Sequence, residues 1–257
     1  MRVLACVPTY EEAGNIVEFL GRLRGDAPDC DVLVIDDSSP DGTAHLARAM
    51  AEELGRIDVL INPHKVGLGN AYHAGFQRGF DDGYDVICQI DADLSFDPAD
   101  LPKLVAKVVD EGHDLAIGSR YVPGGSIPDW PFHRRALSKY GNRYATKVLG
   151  LRIADATSGF RAYRAETLRA IDPDSTRSSG YGILIELAYR VSRSGGSIAE
   201  VPVEFADREE GRSKMSWKIA VEELILVTWW GVRDRVVRRR RGVTANLPHR
   251  PVRDRER

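Results

Sequence analysis

Short apolar runs alternate with amphipathic stretches through the first half of this chain, and that alternation admits few folds. Val3–Val7, Val32–Ile35, Val59–Ile61, Val86–Ile90 and Leu115–Gly118 read as buried strands, too short and too evenly apolar for surface helices. Between them, Glu12–Leu23 repeats Ile16, Phe19, Leu20 and Leu23 at helical spacing. Further helices run on to Leu54, span Gly69–Phe80, and open at Pro98, a residue suited to a first helical turn. This order predicts an α/β fold with a mostly parallel sheet flanked by helices. Val122–Pro131 carries three Pro and two Gly and holds no regular element, leaving a lid or a surface loop. Helices then resume at Arg134–Leu149, Ala165–Ile171 and Gly182–Ser194, followed by a strand at Ile198–Phe205 and a last amphipathic helix at about Ser216–Val232.

Charge divides the chain in two. Residues 233–257 hold ten Arg against three acidic residues, a net +7, which leaves −9 for the rest of a chain whose total is −2. The expectation is one folded domain over residues 1–232 and a basic, disordered tail over 233–257, the tail suited to an anionic surface such as a phospholipid leaflet. The most apolar segment, Leu224–Val232, has nine residues, whereas a spanning helix needs about 20. Membrane contact is therefore expected to be peripheral, or through a separate anchoring protein, with no nucleic-acid partner. Cys6, Cys30 and Cys88 have no metal-ligand spacing and read as reduced core thiols of a cytoplasmic protein, and, since Met1 runs straight into a strand, no signal peptide is expected.

In parallel sheets, ligands gather at the carboxyl ends of the strands. Here those ends are chemically loaded: Pro8-Thr9-Tyr10-Glu11-Glu12, Asp36-Asp37, Asp91-Ala92-Asp93 and Ser119-Arg120-Tyr121 converge on one rim. Asp91 and Asp93 lie two apart in an extended segment, so both carboxylates face one way and can share a hard cation such as Mg²⁺ or Mn²⁺. Asp37 is placed to accept hydrogen bonds from a base or ribose, and Asp41 to cap the next helix. Arg120, Arg208 and Lys214 suit phosphate, whereas Arg212 reads as an ordinary surface charge. Gly67-Leu68-Gly69 lacks the third Gly of a dinucleotide motif and does not open the first crossover, so it shapes a helix start rather than supporting a dehydrogenase. The chain has no Walker A sequence, no Gly-x-Ser-x-Gly elbow and no His-Glu-x-x-His pair.

Taken in order, seven segments resemble a known family. They are Val7–Glu12, Val34–Thr43, Gly67–Gly69, Asp91–Leu94, Gly118–Tyr121, Asp155–Arg161 and Arg208–Lys214. The resemblance, over roughly residues 3 to 217, is to the inverting GT-A glycosyltransferases of family 2, and within them to the dolichyl- or polyprenyl-phosphate mannose synthases. It implies a GT-A fold and mannose transfer from GDP-mannose to a polyprenyl phosphate. It also implies roles. Pro8, Tyr10, Glu12, Ile35 and Asp37 would cradle the nucleoside. Asp91, Ala92 and Asp93 would meet the diphosphate, with Asp91 and Asp93 on the metal. Arg208 and Lys214 would close over the donor phosphates. Arg120, Arg134 and Ser138 would hold the lipid phosphate, and Asp93 and Arg120 carry the catalytic role. Members usually have Gln two residues after the second Asp, where this chain has Ser95, so direct coordination there is in question.

The implied chemistry suits the residues. A phosphate monoester has a second pKa near 6 and is largely dianionic at neutral pH, so it attacks with little help from a base. In-line attack would invert an α-linked donor to a β-linked product at the cytoplasmic face of a membrane. Two readings compete: the same reaction with UDP-glucose or another UDP-sugar, and an inactive nucleotide- or lipid-binding subunit. For membrane contact, the sequence nominates Ile127, Trp130 and Phe132 of the breaker-rich loop and the apolar face of the last helix.

Overall fold

The computed structural model describes residues 1–176, 178, 180, 182–206 and 225–233. In chain order the elements are β1 (Val3–Thr9), α1 (Ile16–Asp26), β2 (Cys30–Asp36), α2 (Thr43–Leu54), β3 (Ile57–Ile61), α3 (Leu68–Asp81), β4 (Val86–Gln89), α4 (Leu101–Val109), β5 (Leu115–Ser119), α5 (Phe132–Leu149), β6 (Arg161–Arg164), α6 (Ala165–Ala170), α7 (Gly182–Arg193) and β7 (Ile198–Pro202). A last helical segment, α8, covers 225–233. Arg208, Arg212, Lys214, the first half of the expected last helix and the tail beyond 233 lie outside the described residues.

The strands form one seven-stranded sheet in the order β3-β2-β1-β4-β6-β5-β7. β1 pairs in parallel with β2 and β4, β2 with β3, and β5 with β7. Strand order reverses at β1, because β2 and β3 lie on one side and β4 on the other. That reversal opens a crevice at the carboxyl ends of β1 and β4.

β6 is the strand that the hydrophobic pattern misses. It runs antiparallel between β4 and β5. Its four residues, Arg-Ala-Tyr-Arg, lack an apolar run, yet Arg161, Ala162 and Tyr163 are fully buried. The strand expected at Ile198–Phe205 ends at Pro202, and Glu204 and Phe205 form only isolated bridges to Ser126 and Phe96.

Alternation along each strand feeds two cores. Ala5, Val7, Val32, Val34, Val86 and Cys88 face α1, α2 and α4. Leu4, Cys6, Leu33, Ile35 and Ile87 face α3, α6 and α7, and Val227 and Trp230 of α8 join this second core. Trp230 stacks on Tyr189 at 6.1 Å, while Ile225, Trp229 and Val232 stay exposed. The three cysteines are buried free thiols. Burial raises all three, Cys30 to about 12, so none is a thiolate at neutral pH.

Helix α3 lies unusually close to the sheet. A methyl on Gly75 would sit 2.6 Å from Ile35 Cδ1 and 2.8 Å from Cys6 Sγ, and Gly79, one turn on, approaches Ile87 as closely. Gly75→Ala therefore overpacks by about 1–3 kcal/mol against a helix-propensity gain of roughly 0.5–1 kcal/mol. A net loss of stability is expected in urea unfolding, and a stabilised variant would refute the close packing.

Candidate active site

Three adjacent strand ends are bent sharply to build the rim. Glu11, Ser38 and Leu94, just past β1, β2 and β4, adopt left-handed backbone conformations with φ of 59°, 54° and 58°. None is glycine, and such conformations cost of order 1–3 kcal/mol, a strain typical of functional turns. Side chains lock the turns. Asp36 accepts hydrogen bonds from Thr9 Oγ1 at 2.9 Å and from the Ser39 amide and hydroxyl at 2.8 and 2.6 Å. Asp41 accepts from the Thr43 amide at the start of α2, the capping expected of it, and also from the Ala13 amide.

Asp37 is more committed than the sequence suggests. Its Oδ1 accepts from Asn62 Nδ2 at 2.7 Å, and its Oδ2 from the amides of Val66 and Gly67 at 3.1 and 2.8 Å. It therefore fixes the 62–67 loop beside the crevice. The same contacts dispose of a dinucleotide reading, since a carboxylate fills the amides that a phosphate would need. Lys65, on that loop, lies 3.4 Å over the Tyr10 ring. Pro8, Tyr10 and Glu12 are half-buried along the crevice, whereas the Ile35 side chain is wholly in the core beneath α3.

Asp91, Ala92 and Asp93 follow β4 at the reversal of strand order. Tyr72 donates to Asp91 at 3.2 Å, and the Ser95 amide to Asp93 at 3.1 Å. Asp93 and Ser95 are buried, and among the described residues Ser95 Oγ has no hydrogen-bond partner. Two carboxylates and an orphaned hydroxyl are hard oxygen donors, which fits a divalent cation. Among the described residues no three His, Cys, Asp or Glu converge, so a cation here needs ligand oxygens or water to complete its shell. Gly159 lies against Asp91, where a Cβ would be 3.4 Å from Oδ2.

Arg120, at the end of β5, is buried against Asp155. Its Nε and Nη2 donate to the two Asp155 oxygens at 2.7 and 2.8 Å, and Nη2 also reaches Thr157 Oγ1. Asn142 of α5 donates to Asp155 and Thr157, and its own oxygen accepts from the Ala156 amide. Burial alone would raise the Asp155 carboxyl, but the Arg120 charge and the hydrogen bonds outweigh it and hold the group below its ordinary value. The Arg120 guanidinium, disfavoured by desolvation, is raised in turn by Asp155.

Ser138 accepts from Tyr121 Oη at 2.7 Å, and Arg134 stacks over Trp130 at 3.9 Å. The loop reading needs correction here. Ile127 and Trp130 are buried, and Trp130 packs on Phe205, so neither side chain is free to enter a membrane; Phe132 is 78% exposed. Next to these residues opens a cleft of about 680 Å³, lined by Arg120, Tyr121, Phe132, Arg135, Lys139, Tyr140 and Arg143, among others. Among the described residues four cations line it and no carboxylate does. Sequence reasoning missed Arg135, Lys139 and Arg143. Their signal was basic residues four apart on one helix, which share a face.

Asp155→Asn leaves Arg120 buried without its charge partner, at a cost of about 3–5 kcal/mol near neutral pH. Because the folded carboxyl is depressed, its contribution is complete above the unfolded value of about 4 and disappears as pH falls through the lower folded value. Urea unfolding at pH 7 and in acid should therefore show a gap between wild type and variant that narrows in acid. A gap independent of pH would rule out this pairing.

Known proteins resemble this chain in sequence and fold. The profile described as "Glycosyl transferase family 2" matches residues 5–172. The undecaprenyl-phosphate mannosyltransferase of Micrococcus luteus is 48% identical over 235 residues, covering 91% of this chain and 96% of that protein. The polyprenol monophosphomannose synthase of Mycolicibacterium smegmatis is 45% identical over 240 residues, covering 93% and 90%. Among solved structures, a mannosyltransferase of Pyrobaculum calidifontis in complex with GDP-Man and Mn²⁺ superposes with a TM-score of 0.62 at 17% identity, over 96% of this chain and 66% of that one, a likeness of fold. With its parallel sheet, its loaded crevice at β1 and β4, and relatives matched nearly end to end, this chain has the GT-A fold and belongs to glycosyl transferase family 2.

Proposed function

We propose that this protein transfers mannose from GDP-mannose to a polyprenyl phosphate with inversion, releasing GDP. The observation that carries this reading is the juxtaposition of two sites of opposite sign. The paired carboxylates follow β4, and Arg120, which lines a cleft with four cations and, among the described residues, no carboxylate, follows β5, one strand away on the same edge of the sheet. The near full-length relatives named above act on undecaprenyl phosphate and polyprenol phosphate by their names, which supports the lipid acceptor.

In this reading Asp91 and Asp93, with Ser95 Oγ nearby, hold Mg²⁺ or Mn²⁺ against the donor diphosphate. The bound ion would supply Lewis-acid stabilisation of the departing nucleoside diphosphate. Pro8, Tyr10 and Glu12 line the nucleoside side, and Asp37 serves it by ordering the 62–67 loop. Arg208 and Lys214 take the family role of closing over the donor phosphates. The acceptor phosphate enters the cleft along Arg135, Lys139 and Arg143; Ser138 stands behind that lining on Tyr121, and Arg134 lies over Trp130 rather than in it. Arg120 has one guanidinium edge committed to Asp155, so it aligns that lining and adds positive potential. The dianionic phosphate attacks the anomeric carbon in line, the bond to GDP breaks, and no protein base is needed.

Peripheral membrane docking follows from the same face. Phe132, Leu137, Tyr140 and Tyr144 of α5 and Ile225, Trp229 and Val232 of α8 are exposed apolar side chains beside Arg135, Lys139, Arg143 and Arg233. A Tyr144–Thr228 hydrogen bond joins the two helices. No described helix is long and apolar enough to cross a membrane. An amphipathic, cationic face suits an anionic cytoplasmic leaflet.

The decisive assay offers purified protein labelled GDP-mannose, UDP-glucose or UDP-GlcNAc with a polyprenyl phosphate and counts the organic phase. Label should transfer from GDP-mannose alone, as the β-anomer. EDTA should abolish transfer, and Asp93→Ala should lower it by about 10²-fold or more. Transfer from a UDP-sugar, or an α-linked product, would overturn the assignment. For docking, Leu137→Asp combined with Ile225→Asp should cut flotation with anionic vesicles by about tenfold while leaving turnover of a short, water-soluble acceptor near wild type. Unchanged flotation would remove these two helices from the interface.

A further inference from the structure

Arg161 is fully buried on β6, in the middle of the sheet. Its guanidinium donates to Ser158 O at 2.7 Å, Ala156 O at 2.8 Å, Leu184 O at 2.6 Å and Tyr163 Oη at 3.0 Å. Every acceptor is neutral, and among the described residues no carboxylate forms an ion pair with it. Arg120, the other buried arginine of this region, is matched by Asp155. A buried cation without a counter-charge is expensive, and a fold retains one where something else answers the charge.

The strand register shows what lies next to it. Gln89 of β4 pairs with Arg161, and opposite residues of an antiparallel pair share a face. Continued two residues toward the rim, the same register sets Asp91 against Gly159, whose Cα lies beside the Asp91 carboxylate. Arg161 thus lies one pleat repeat, roughly 7 Å of strand, behind Asp91. The Gln89 amide beside it is fully buried, and among the described residues neither its oxygen nor its nitrogen has a hydrogen-bond partner. A neutral, unengaged amide leaves the Arg161 charge unneutralised toward the Asp91–Asp93 crevice.

We propose that Arg161 is an electrostatic positioning residue for the donor diphosphate, a fixed positive charge behind the carboxylates that disfavours a bare divalent cation and favours the cation together with a nucleoside diphosphate. This rests on the donor and metal reading given above. Its consequence is an order of binding. Cation and nucleotide enter together, and GDP, with one more negative charge than GDP-mannose, gains most from Arg161. The residue therefore assists departure of the leaving group through its field, without touching it.

The test measures Mn²⁺ alone by electron paramagnetic resonance, and GDP at saturating Mn²⁺ by calorimetry, for wild type, Gln89→Glu, Arg161→Met and Arg161→Lys. Gln89→Glu places a carboxylate beside Arg161 and cancels its charge with little change of shape, so it serves even where Arg161→Met fails to fold. Both charge-cancelling variants should bind Mn²⁺ alone about threefold more tightly and GDP about tenfold more weakly, while Arg161→Lys stays near wild type on both counts. A purely structural role predicts that both ligands weaken together and that Arg161→Lys behaves as Arg161→Met does. That pattern, or Gln89→Glu matching wild type on both ligands, overturns the proposal. A wild type that binds neither Mn²⁺ nor GDP overturns the donor assignment instead, a distinguishable result.

Discussion

The buried pair of Arg120 and Asp155 ties together parts of the molecule that are distant in sequence. Asp155 accepts from the Arg120 amide and guanidinium, from Asn142 on α5, and from the Thr157 amide and hydroxyl. The end of β5, the body of α5 and the approach to β6 thus meet on one carboxylate. Desolvating both ions costs several kcal/mol, and the fold recovers that only because the geometry is bidentate and the remaining lone pairs are satisfied. The orientation of α5, and with it the cationic wall of the cleft, depends on this contact.

A reaction between two anions needs spatial division of charge. Most carboxylates of the rim are occupied with structure. Asp36 and Asp41 hold turns, Asp37 holds a loop, and Asp155 holds Arg120. Three of the four cations of the acceptor side sit on a single helix and line a cleft with no acid among the described residues. Positive potential on one side and paired acids on the other let two phosphate groups approach without either being repelled by the protein itself.

The parallel half of the sheet was legible because each of its strands is a plain apolar run that ends in polar residues, as at Val32–Ile35 before Asp36. β6 was not, since its central position requires Arg161 and Tyr163 to be buried, and a charged residue in a strand normally signals the surface. Local pattern could not reveal the four neutral oxygens that make that burial tolerable. Likewise, Asp37 was recognisable as important but not as a loop anchor, because its partners at Asn62, Val66 and Gly67 lie about 25 to 30 residues away. Trp130 and Ile127 misled for the converse reason. Apolar residues among Pro and Gly resemble an exposed loop, yet Phe205 packs on Trp130 and the segment after β7 bridges to Ser126 beside Ile127.

The reversed direction of β6 has a further effect. Parallel strands such as β1 and β4 reach the crevice by their carboxyl ends, so the residues that follow them do chemistry. β6 starts at the crevice and leaves it, so its preceding segment, Asp155 to Phe160, is the part held there by Arg120, Asn142 and Arg161. Its following segment, α6, emerges at the opposite end of the sheet, where the Ala165 amide binds Asp85 O. Evolutionary freedom should therefore be distributed in mirror image around this one strand. Length changes are tolerable after it and damaging before it, the opposite of the rule along β1, β2 and β4.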